Sequence, residues 1–211
     1  MEDLLKVAHE IAKGAATFGT SGNASMRESN ESPRFWLTPS GVPWETLLEP
    51  DLVLMDGNTG EIVKGSKRPS SEWRMHQTIY ARHSWVGGIV HLHPPYATVL
   101  STLMEPVRPV HYQMARRGDE IPVVSYFTFG SSALAEAVSE ALGPETHGVL
   151  LANHGLVAVA STVADAWQAA EEIEWTAMIQ YRASLVGSPK VLRSDQLEAV
   201  RQAFRDYGQE P

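Results

Sequence analysis

The sequence predicts an α/β fold in which helices pack on a sheet that contains many antiparallel pairs. Segments with apolar residues at helical spacing alternate with short runs of β-forming residues along most of the chain. Several neighbouring β runs are joined by turns too short for the crossover that a parallel pair needs. At 211 residues the chain has the usual size of one domain, and we expect a single domain over residues 1–211.

The N-terminal part of the chain is predicted to form a helix, a polar loop and a meander of short strands. Apolar residues recur at helical spacing over residues 3–18, which indicates an amphipathic helix with one buried face. Glycines and small polar residues over 18–25 indicate a loop. Runs of β-forming residues separated by turn signals then indicate strands at 35–38, 52–55 and 61–63.

The rest of the chain alternates helices and strands. Ser70 and Ser71 are favourable N-cap residues and indicate the start of a helix that carries Glu72. An apolar strand that ends with His91 and His93 follows. The further predicted elements are helices at about 95–104, 132–142, 162–186 and 195–207, and strands at 107–112, at 121–125 and on either side of 153–155.

Composition excludes several classes of partner. The formal net charge is −8, and no basic stripe with interleaved aromatic residues occurs, so we expect no nucleic-acid partner. No run approaches the about 20 apolar residues that a membrane helix needs, so we expect no membrane partner. The first residues do not have the pattern of a secretory signal, and we expect a cytoplasmic protein. Cysteine is absent, so any metal must be held by histidine, carboxylate or water.

A pair of histidines points to a metal site. His91 and His93 are two residues apart in a predicted strand, so their side chains point to the same face. His154, between two apolar strands, is the best candidate for a third ligand. Three imidazoles with one open position are typical of catalytic zinc, although Co²⁺, Mn²⁺ or Fe²⁺ can also bind such a set. The alternative is two strand histidines that bind only neighbouring groups. The other histidines, predicted to be structural or on the surface, are His9, His76, His83, His111 and His147.

The sequence also contains the elements of an anion site. Ser70 and Ser71 would present hydroxyls and free backbone N–H groups at the positive end of a helix dipole. Simple N-capping is the alternative explanation for this pair. The glycine-containing loops at 19–23 and 38–41 have similar chemistry, so three loops could surround a phosphate. Glu72, directly after the serines, is a candidate general acid/base.

Taken together, these motifs resemble the class II aldolase/adducin family (AraD-like proteins), and most closely its sugar-phosphate aldolases of the fuculose 1-phosphate type. The similarity extends over nearly the whole chain. The matching motifs, in chain order, are Gly19-Thr-Ser-Gly-Asn23, Leu37-Thr-Pro-Ser-Gly41, Asp56-Gly-Asn58, Pro69-Ser-Ser-Glu-Trp-Arg74, His91-Leu-His93, His111-Tyr112, Thr128-Phe-Gly130, Asn153-His-Gly155 and Asp206-Tyr-Gly208.

The resemblance implies a fold and a set of site residues. The fold would be a three-layer α/β/α arrangement around a central, mostly antiparallel mixed sheet, assembled as a C4 homotetramer with active sites at subunit interfaces. The implied zinc ligands are His91, His93 and His154. The implied catalytic residues are Glu72, Tyr112 and Tyr207. The implied phosphate pocket consists of Thr20, Asn23, Ser40, Gly41, Ser70 and Ser71.

The expected reaction is a reversible cleavage of a ketose 1-phosphate to dihydroxyacetone phosphate and an aldehyde. Zinc would stabilise the enediolate, and Glu72 would move the proton at C3. Tyr112 would take the proton of the C4 hydroxyl during cleavage and return it during condensation. Tyr207 would help to close the site. The ketose would be a fuculose, rhamnulose or ribulose 1-phosphate, or a 5-deoxy- or 5-methylthio-pentulose 1-phosphate. We expect the segments 94–97 and 116–119 to face the aldehyde end. The alternative for Pro94, Pro95 and Tyr96 is that they simply start the next helix, because proline is favoured in a first helical turn.

Three alternatives remain open at the level of sequence. A pentulose-5-phosphate 4-epimerase would use the same bond cleavage, but that branch is expected to have a lysine where this chain has Thr38. A decarboxylase of a phosphorylated keto acid would stabilise the same kind of enediolate. A non-catalytic, adducin-like assembly module would be expected to lose the metal histidines, all of which this chain retains.

Overall fold

The computed structural model describes residues 1–14, 19–29, 31–144 and 146–205. In this part of the chain, helices and short strands alternate, and the strands join into one eight-stranded sheet. The strands are β1 (Asn23–Arg27), β2 (Phe35–Leu37), β3 (Val53–Met55), β4 (Ile62–Lys64), β5 (Gly88–Leu92), β6 (Val123–Val124), β7 (Gly148–Leu151) and β8 (Gly155–Ala160). The α-helices are α1 (Glu2–Lys13), α2 (Trp73–Arg82), α3 (Pro95–Thr102), α4 (Ser132–Ala141), α5 (Val163–Ser184) and α6 (Ser194–Arg205).

The sheet is mixed but almost entirely antiparallel. Its strands lie in the order β4-β3-β2-β1-β5-β8-β7-β6. Within the described residues, six neighbouring strand pairs are antiparallel and one, β6 with β7, is parallel. Strands β2, β3 and β4 form the predicted meander. The prediction of a mixed, mostly antiparallel sheet is confirmed.

Helices cover both faces of the sheet and give the three layers that the family resemblance implied. Helices α1, α3 and α5 pack on one face, together with Val90 and Leu92 of β5. Helices α2 and α4 pack on the other face, together with Ile89 of β5. Because side chains alternate between the two faces of a strand, His91 lies on the same face as Ile89 and points towards α2.

The central strand β5 packs closely against the start of the longest helix, α5. The hydroxyl of Thr162 accepts a hydrogen bond from the backbone N–H of Asp165 at 3.1 Å and caps α5. A Cβ atom at Gly88 would lie 2.2 Å from the backbone nitrogen of Val163, so a glycine is needed where β5 meets this helix. Of the helices in the described part of the chain, none combines the length and the apolar character that a membrane span requires.

The structure corrects two predictions near the N-terminus. Helix α1 ends at Lys13, and residues 15–18 of the predicted helix lie outside the described residues. The loop predicted over 18–25 is wrong in its second half, because the chain from Asn23 onward forms β1. The polar sequence of β1 resembles a loop, but the strand lies between β2 and β5 and gains ladder hydrogen bonds on both sides.

The start of helix α2 lies later than predicted. The helix begins at Trp73, with Glu72 as its N-cap, rather than at Ser70 or Ser71. The backbone N–H of Ser70 donates to the carbonyl of Thr38 at 3.2 Å, so the serine segment is paired with a neighbouring loop and does not enter the helix. As a result, both serines belong to a loop next to the helix N-terminus.

The strand predicted at 107–112 is also wrong. In this segment only Val107 makes a β-bridge, an isolated antiparallel one with Ile121. Pro109 has no N–H and cannot extend the ladder. The chain instead turns into the 3₁₀-helix Tyr112–Arg116, so the candidate tyrosine lies on a helical turn and not on the sheet.

Candidate metal centre and phosphate pocket

Three histidines converge where β5 and the turn between β7 and β8 meet. His91 lies in β5, His93 follows the end of that strand, and His154 lies in the turn. The Nε2 atoms of His91 and His93 are 3.2 Å apart, and one ligand atom from each of the three histidines lies within 4.8 Å of the others. Two nitrogens bound tetrahedrally to one Zn²⁺ are about 3.3 Å apart. The triad therefore has the dimensions of a metal site.

The backbone of the β7–β8 turn brings His154 to this position. Asn153 has a φ of 55°, in the left-handed region that asparagine tolerates better than most residues. A Cβ atom at Gly155 would lie 2.3 Å from the carbonyl oxygen of Leu92 and 2.6 Å from Cδ2 of His93. Glycine at 155 thus allows the turn to pack directly against the end of β5, which explains the Asn-His-Gly sequence.

His91 is oriented by the strand next to it. Its Nδ1 lies 3.0 Å from the carbonyl oxygen of Leu156, which can only accept a hydrogen bond, so Nδ1 donates. The Nε2 atom is therefore the one that faces the other two histidines. A carbonyl behind a ligating imidazole is the usual way in which proteins fix the orientation of a metal-binding histidine.

His93 and His154 are uncharged and ready to bind a cation. Burial, together with the positive charge of nearby His91, lowers the pKa of His93 to about 3. The same two causes lower the pKa of His154 to about 4. Near neutral pH both imidazoles therefore carry a free lone pair, which is the form that binds a metal ion.

Glu72 places a carboxylate against the triad. Its Oε2 lies 3.1 Å from Nε2 of His91, and its Oε1 lies 3.7 Å from Nε2 of His154. Burial alone would raise the pKa of Glu72, but the charge of His91, its hydrogen bond to the carboxylate and a hydrogen bond from Asn23 lower it below its usual value. The side chain is thus a buried carboxylate.

This arrangement fits a bound cation. Burial opposes a charge on His91, but Glu72 raises the pKa of His91 above its usual value. Oε1 of Glu72 is buried without a hydrogen-bond partner among the described residues. The Glu72 oxygens and the Nε2 atoms of His91 and His154 therefore face one another here, and a proton or a metal ion is needed between them.

Two histidines of the triad, His93 and His154, open into a cavity of about 410 Å³. All residues predicted for the phosphate pocket line this cavity, together with Glu72, His93 and His154; the predicted residues are Thr20, Asn23, Ser40, Gly41, Ser70 and Ser71. Among the described residues, no lysine or arginine lines it. An anion here would be bound by hydroxyls, backbone N–H groups and the N-terminal end of α2. The role of this cavity in binding phosphate stays a prediction.

Backbone contacts hold the loops of this cavity together. The backbone N–H of Ser40 donates to the carbonyl of Arg68 at 3.0 Å, and its hydroxyl donates to the carbonyl of Pro69 at 3.0 Å. Gly130, with a φ of +72°, approaches the serine segment so closely that a Cβ atom there would lie 2.7 Å from the carbonyl oxygen of Ser71. The loop 38–41 and the serine segment thus form one wall of the cavity.

Two features of the site were missed at the level of sequence. His76, predicted to be structural or on the surface, is fully buried and lies 2.5 Å from Oδ1 of Asn23, which in turn contacts Glu72. The spacing of four residues between Glu72 and His76 was the available signal, because such residues share a helix face. Tyr126 and Phe129 line the cavity although they are 61% and 63% exposed. The Thr128-Phe-Gly130 motif was a signal for this segment, but no role was assigned to its aromatic residues.

The structure does not bring Tyr112 into this cavity and does not describe Tyr207. Tyr112 is 49% exposed, stacks on Phe204 of α6 with ring centroids 6.0 Å apart, and is not among the lining residues. Tyr207 lies outside the described residues, which end at Arg205. Both catalytic assignments therefore stay predictions.

The segments expected to face the aldehyde lie elsewhere in this subunit. Pro94, Pro95 and Tyr96 line a second cavity of about 530 Å³ beside α1 and α5. The reason is that α3 docks on α5, where the Glu174 carboxylate accepts the N–H groups of Tyr96 and Ala97 at 2.9 and 2.8 Å. The segment does not line the triad cavity of its own subunit, and the expectation that it faces the aldehyde end stays a prediction.

The arginine-rich segment 116–119 is held by structural contacts. Nε of Arg117 donates to the Glu172 carboxylate of α5 at 2.6 Å, and Arg116 lies over the ring of Phe204. Asp119 forms an ion pair with Arg201 of α6. These residues tie the 3₁₀-helix and its surroundings to two α-helices and do not line the triad cavity.

The chain is similar to known sugar-phosphate aldolases in both sequence and fold. Residues 2–181 match the family described as Class II Aldolase and Adducin N-terminal domain. The 5-deoxy-D-ribulose 1-phosphate aldolase of Bacillus thuringiensis serovar kurstaki is 34% identical over 209 residues, which cover 99% of this chain and 97% of that protein. The L-fuculose phosphate aldolase of Escherichia coli is 35% identical over 201 residues, covering 94% and 91%. A solved structure of an L-fuculose 1-phosphate aldolase has a TM-score of 0.91 and 36% identity, covering 97% of this chain and 95% of that one.

Proposed function

The chain belongs to the class II aldolase and adducin family, and we propose that it reversibly cleaves a ketose 1-phosphate to dihydroxyacetone phosphate and an aldehyde. One observation carries this proposal beyond family membership. His93, His154, the buried Glu72 carboxylate and the hydroxyl-lined loops line a single cavity, and His91 lies behind them in contact with Glu72. A cation site beside an anion pocket is the arrangement that a phosphorylated ketose needs, since its oxygens and its phosphate must be held at a fixed separation.

His91, His93 and His154 would hold the metal ion of this site. A donor set of three imidazoles favours Zn²⁺ and also suits Co²⁺, Mn²⁺ or Fe²⁺. When bound, the cation would supply Lewis-acid chemistry, stabilising the negative charge that develops on the substrate oxygens as the C3–C4 bond breaks. The three histidines also fix where the substrate's carbonyl end lies relative to Glu72.

Glu72 would move the proton at C3 of the substrate. Its carboxylate is buried beside the triad, and Oε1 has no hydrogen-bond partner among the described residues, so one oxygen is free to accept a proton. The phosphate would lie among Thr20, Asn23 and the loop hydroxyls, with Ser40, Gly41, Ser70 and Ser71 as the remaining ligands. Burial also excludes water, which strengthens the electrostatic interactions of the carboxylate.

The proposal includes a cytoplasmic C4 homotetramer whose active sites lie at subunit interfaces. Tyr112 is half exposed and outside its own subunit's cavity, which is consistent with a site completed by a neighbouring copy. In that assembly Tyr112 would exchange a proton with the C4 hydroxyl, and Tyr207 would help to close the site.

The aromatic rim suggests the kind of aldehyde. Tyr126 and Phe129 present large exposed rings at the cavity and would contact the part of the substrate beyond C4. Aromatic side chains favour an apolar group over a chain of hydroxyls. A 5-deoxy- or 5-methylthio-pentulose 1-phosphate therefore suits the rim, and a relative of 34% identity is a 5-deoxy-D-ribulose 1-phosphate aldolase.

A substrate panel tests the proposal. Zinc-loaded protein and a chelated control would be incubated with fuculose, rhamnulose, ribulose, 5-deoxyribulose and 5-methylthioribulose 1-phosphates, and release of dihydroxyacetone phosphate followed with a coupled dehydrogenase. We expect release only with metal, and fastest with the two substrates that have apolar tails. No release from any ketose by metal-loaded protein would contradict the proposal and favour the epimerase or decarboxylase alternative. A protein that binds no divalent metal would favour the non-catalytic one.

A further inference from the structure

A chain of hydrogen bonds leads from the Glu72 carboxylate into the protein core. Oε2 of Glu72 lies 3.0 Å from Nδ2 of Asn23, and Oδ1 of Asn23 lies 2.5 Å from Nε2 of His76. On the other side of the imidazole, Nδ1 of His76 lies 2.6 Å from the hydroxyl of Ser25. The Ser25 hydroxyl in turn lies 2.8 Å from the hydroxyl of Tyr80. All these side chains are buried.

Every hydrogen bond in this chain has a defined direction. A carboxylate only accepts, so the Asn23 amide must donate to Glu72 and present its oxygen to His76. His76 therefore carries its proton on Nε2. Burial lowers the pKa of His76 to about 3, so the ring is neutral and Nδ1 accepts from the hydroxyl of Ser25. Tyr80 then donates to Ser25, and each donor points towards Glu72.

The chain follows the periodicity of two neighbouring elements. Glu72, His76 and Tyr80 are four residues apart on one face of α2 and its N-cap. Asn23 and Ser25 are two residues apart on one face of β1. The surrounding cluster is apolar, and an unpaired polar group there would cost about 1–3 kcal/mol. Apolar side chains would fill this space without the cost of an unpaired polar group. We therefore expect these hydrogen-bonded side chains to have a function at the site that contains Glu72.

We propose that His76 is a positioning residue that fixes the Glu72 carboxylate beside the metal histidines by locking the orientation of the Asn23 amide. This inference rests on the proposed function, because it assigns Glu72 a proton-transfer step. Without the Nε2–H donor, Oδ1 of Asn23 loses its partner, and the amide is free to rotate and withdraw its N–H from the carboxylate. Glu72 would then lose this donor and move from its position 3.0 Å from the amide nitrogen.

Two substitutions at the same position separate positioning from packing. His76→Leu removes both ring nitrogens, whereas His76→Gln retains a terminal N–H that can reach Asn23. Ile79→Ala is the matched control, because Ile79 is fully buried on the same helix and belongs to the apolar cluster, not to the hydrogen-bonded chain. All three variants would be prepared in zinc-loaded form, and their metal content and thermal stability measured.

The informative readout is the exchange of the C3 hydrogen of dihydroxyacetone phosphate with deuterated water, because this step needs no aldehyde and isolates the action of Glu72. For His76→Leu we expect the maximal exchange rate to fall about 10- to 100-fold, part of the range of one acid/base group. KM and zinc content should not change, and His76→Gln should recover most of the rate. Ile79→Ala should lose stability but keep the rate.

Crystal structures of zinc-loaded wild type and His76→Leu decide the positioning independently of activity. We expect the contact between Asn23 and Glu72 to be lost in the variant. A Glu72 carboxylate in its original place, or wild-type exchange in His76→Leu, would overturn the inference. A wild-type protein that catalyses no exchange would instead refute the proposed function, and the two structures would still show whether His76 positions Glu72.

Discussion

Glu72 is the residue on which the proposed chemistry depends most directly. In Glu72→Gln the three histidines are unchanged, so the protein should bind as much metal as wild type, but an amide cannot accept the C3 proton. We expect kcat to fall roughly 10²- to 10⁴-fold, the usual contribution of a general acid/base. Metal content by atomic absorption and the coupled assay measure both quantities. Glu140→Gln, at an exposed carboxylate on α4, is the control, and equal rates in the two variants would exclude Glu72 as the base.

Gly155 is a second residue whose substitution has a defined geometric consequence. An alanine Cβ would lie 2.3 Å from the Leu92 carbonyl oxygen and 2.6 Å from the His93 ring, so the strand end and the ligand must move. We therefore expect Gly155→Ala to bind Zn²⁺ more weakly than wild type. Competition with a chromophoric chelator measures this affinity. Gly187→Ala is the matched control, because nothing lies within 4 Å of a Cβ there. Equal affinity in both variants would contradict the packing argument.

At the scale of elements, strands with an unambiguous apolar pattern were predicted correctly and polar ones were not. The strands around His91 and His154 have continuous or alternating apolar residues, and each was predicted. The sequence of β1 resembles that of a loop. The strand forms because it pairs with both neighbours, and its own composition does not predict it. Local sequence also could not show that Ser70 pairs with Thr38, since the contact joins residues 32 positions apart.

The 3₁₀-helix that carries Tyr112 depends on a buried ion pair with α5. Arg117 and Glu172 are 2.6 Å apart, with side chains only 8% and 13% exposed. Glu172→Leu would leave the guanidinium buried without its carboxylate, and we expect the free energy of unfolding to fall by about 3–5 kcal/mol. Urea titration measures the change.

The matched control for this pair is the half-exposed ion pair of Glu105 with Arg108. For Glu105→Gln we expect a loss of no more than about 1 kcal/mol, because solvent screens such pairs. The double variant Arg117→Met/Glu172→Leu should be more stable than Glu172→Leu alone, since it removes the unpaired charge. Equal losses in Glu172→Leu and Glu105→Gln would show that the buried pair does not hold this segment.

At the scale of the whole molecule, the fold assembles one site from six separate segments of the chain. The cavity combines residues from 20–23, 39–41, 70–72, 93, 126–129 and 153–154. Sequence motifs identified these segments because each carries its own chemistry. What the motifs could not show is where the segment at 94–96 points, since that depends on the docking of α3 against α5. The hydrogen bond between Asn23 and Glu72 was also missed, because the sequence did not predict strand β1, which carries Asn23.

The position of Tyr112 leads to a prediction about the assembly. Its ring is half exposed and outside the cavity that contains Glu72 of the same chain. If Tyr112 acts in the site of a neighbouring subunit, Tyr112→Phe and Glu72→Gln should each be nearly inactive alone and regain activity when mixed. In a random mixture of equal parts, about a quarter of the sites would combine an intact Glu72 with an intact Tyr112 from another subunit.

The mixing experiment uses subunits unfolded and refolded together, with dihydroxyacetone phosphate release as the readout. Each variant unfolded and refolded alone is the control, because it shows how much activity the refolding procedure itself restores. Sedimentation velocity checks that oligomers form in the mixture. If both residues acted within one subunit, a mixed oligomer would contain no complete site and would stay inactive, because every chain lacks one of the two groups. A monomeric protein, or full activity of Tyr112→Phe alone, would also contradict the shared site. Recovery on mixing requires that two subunits contribute to one active site.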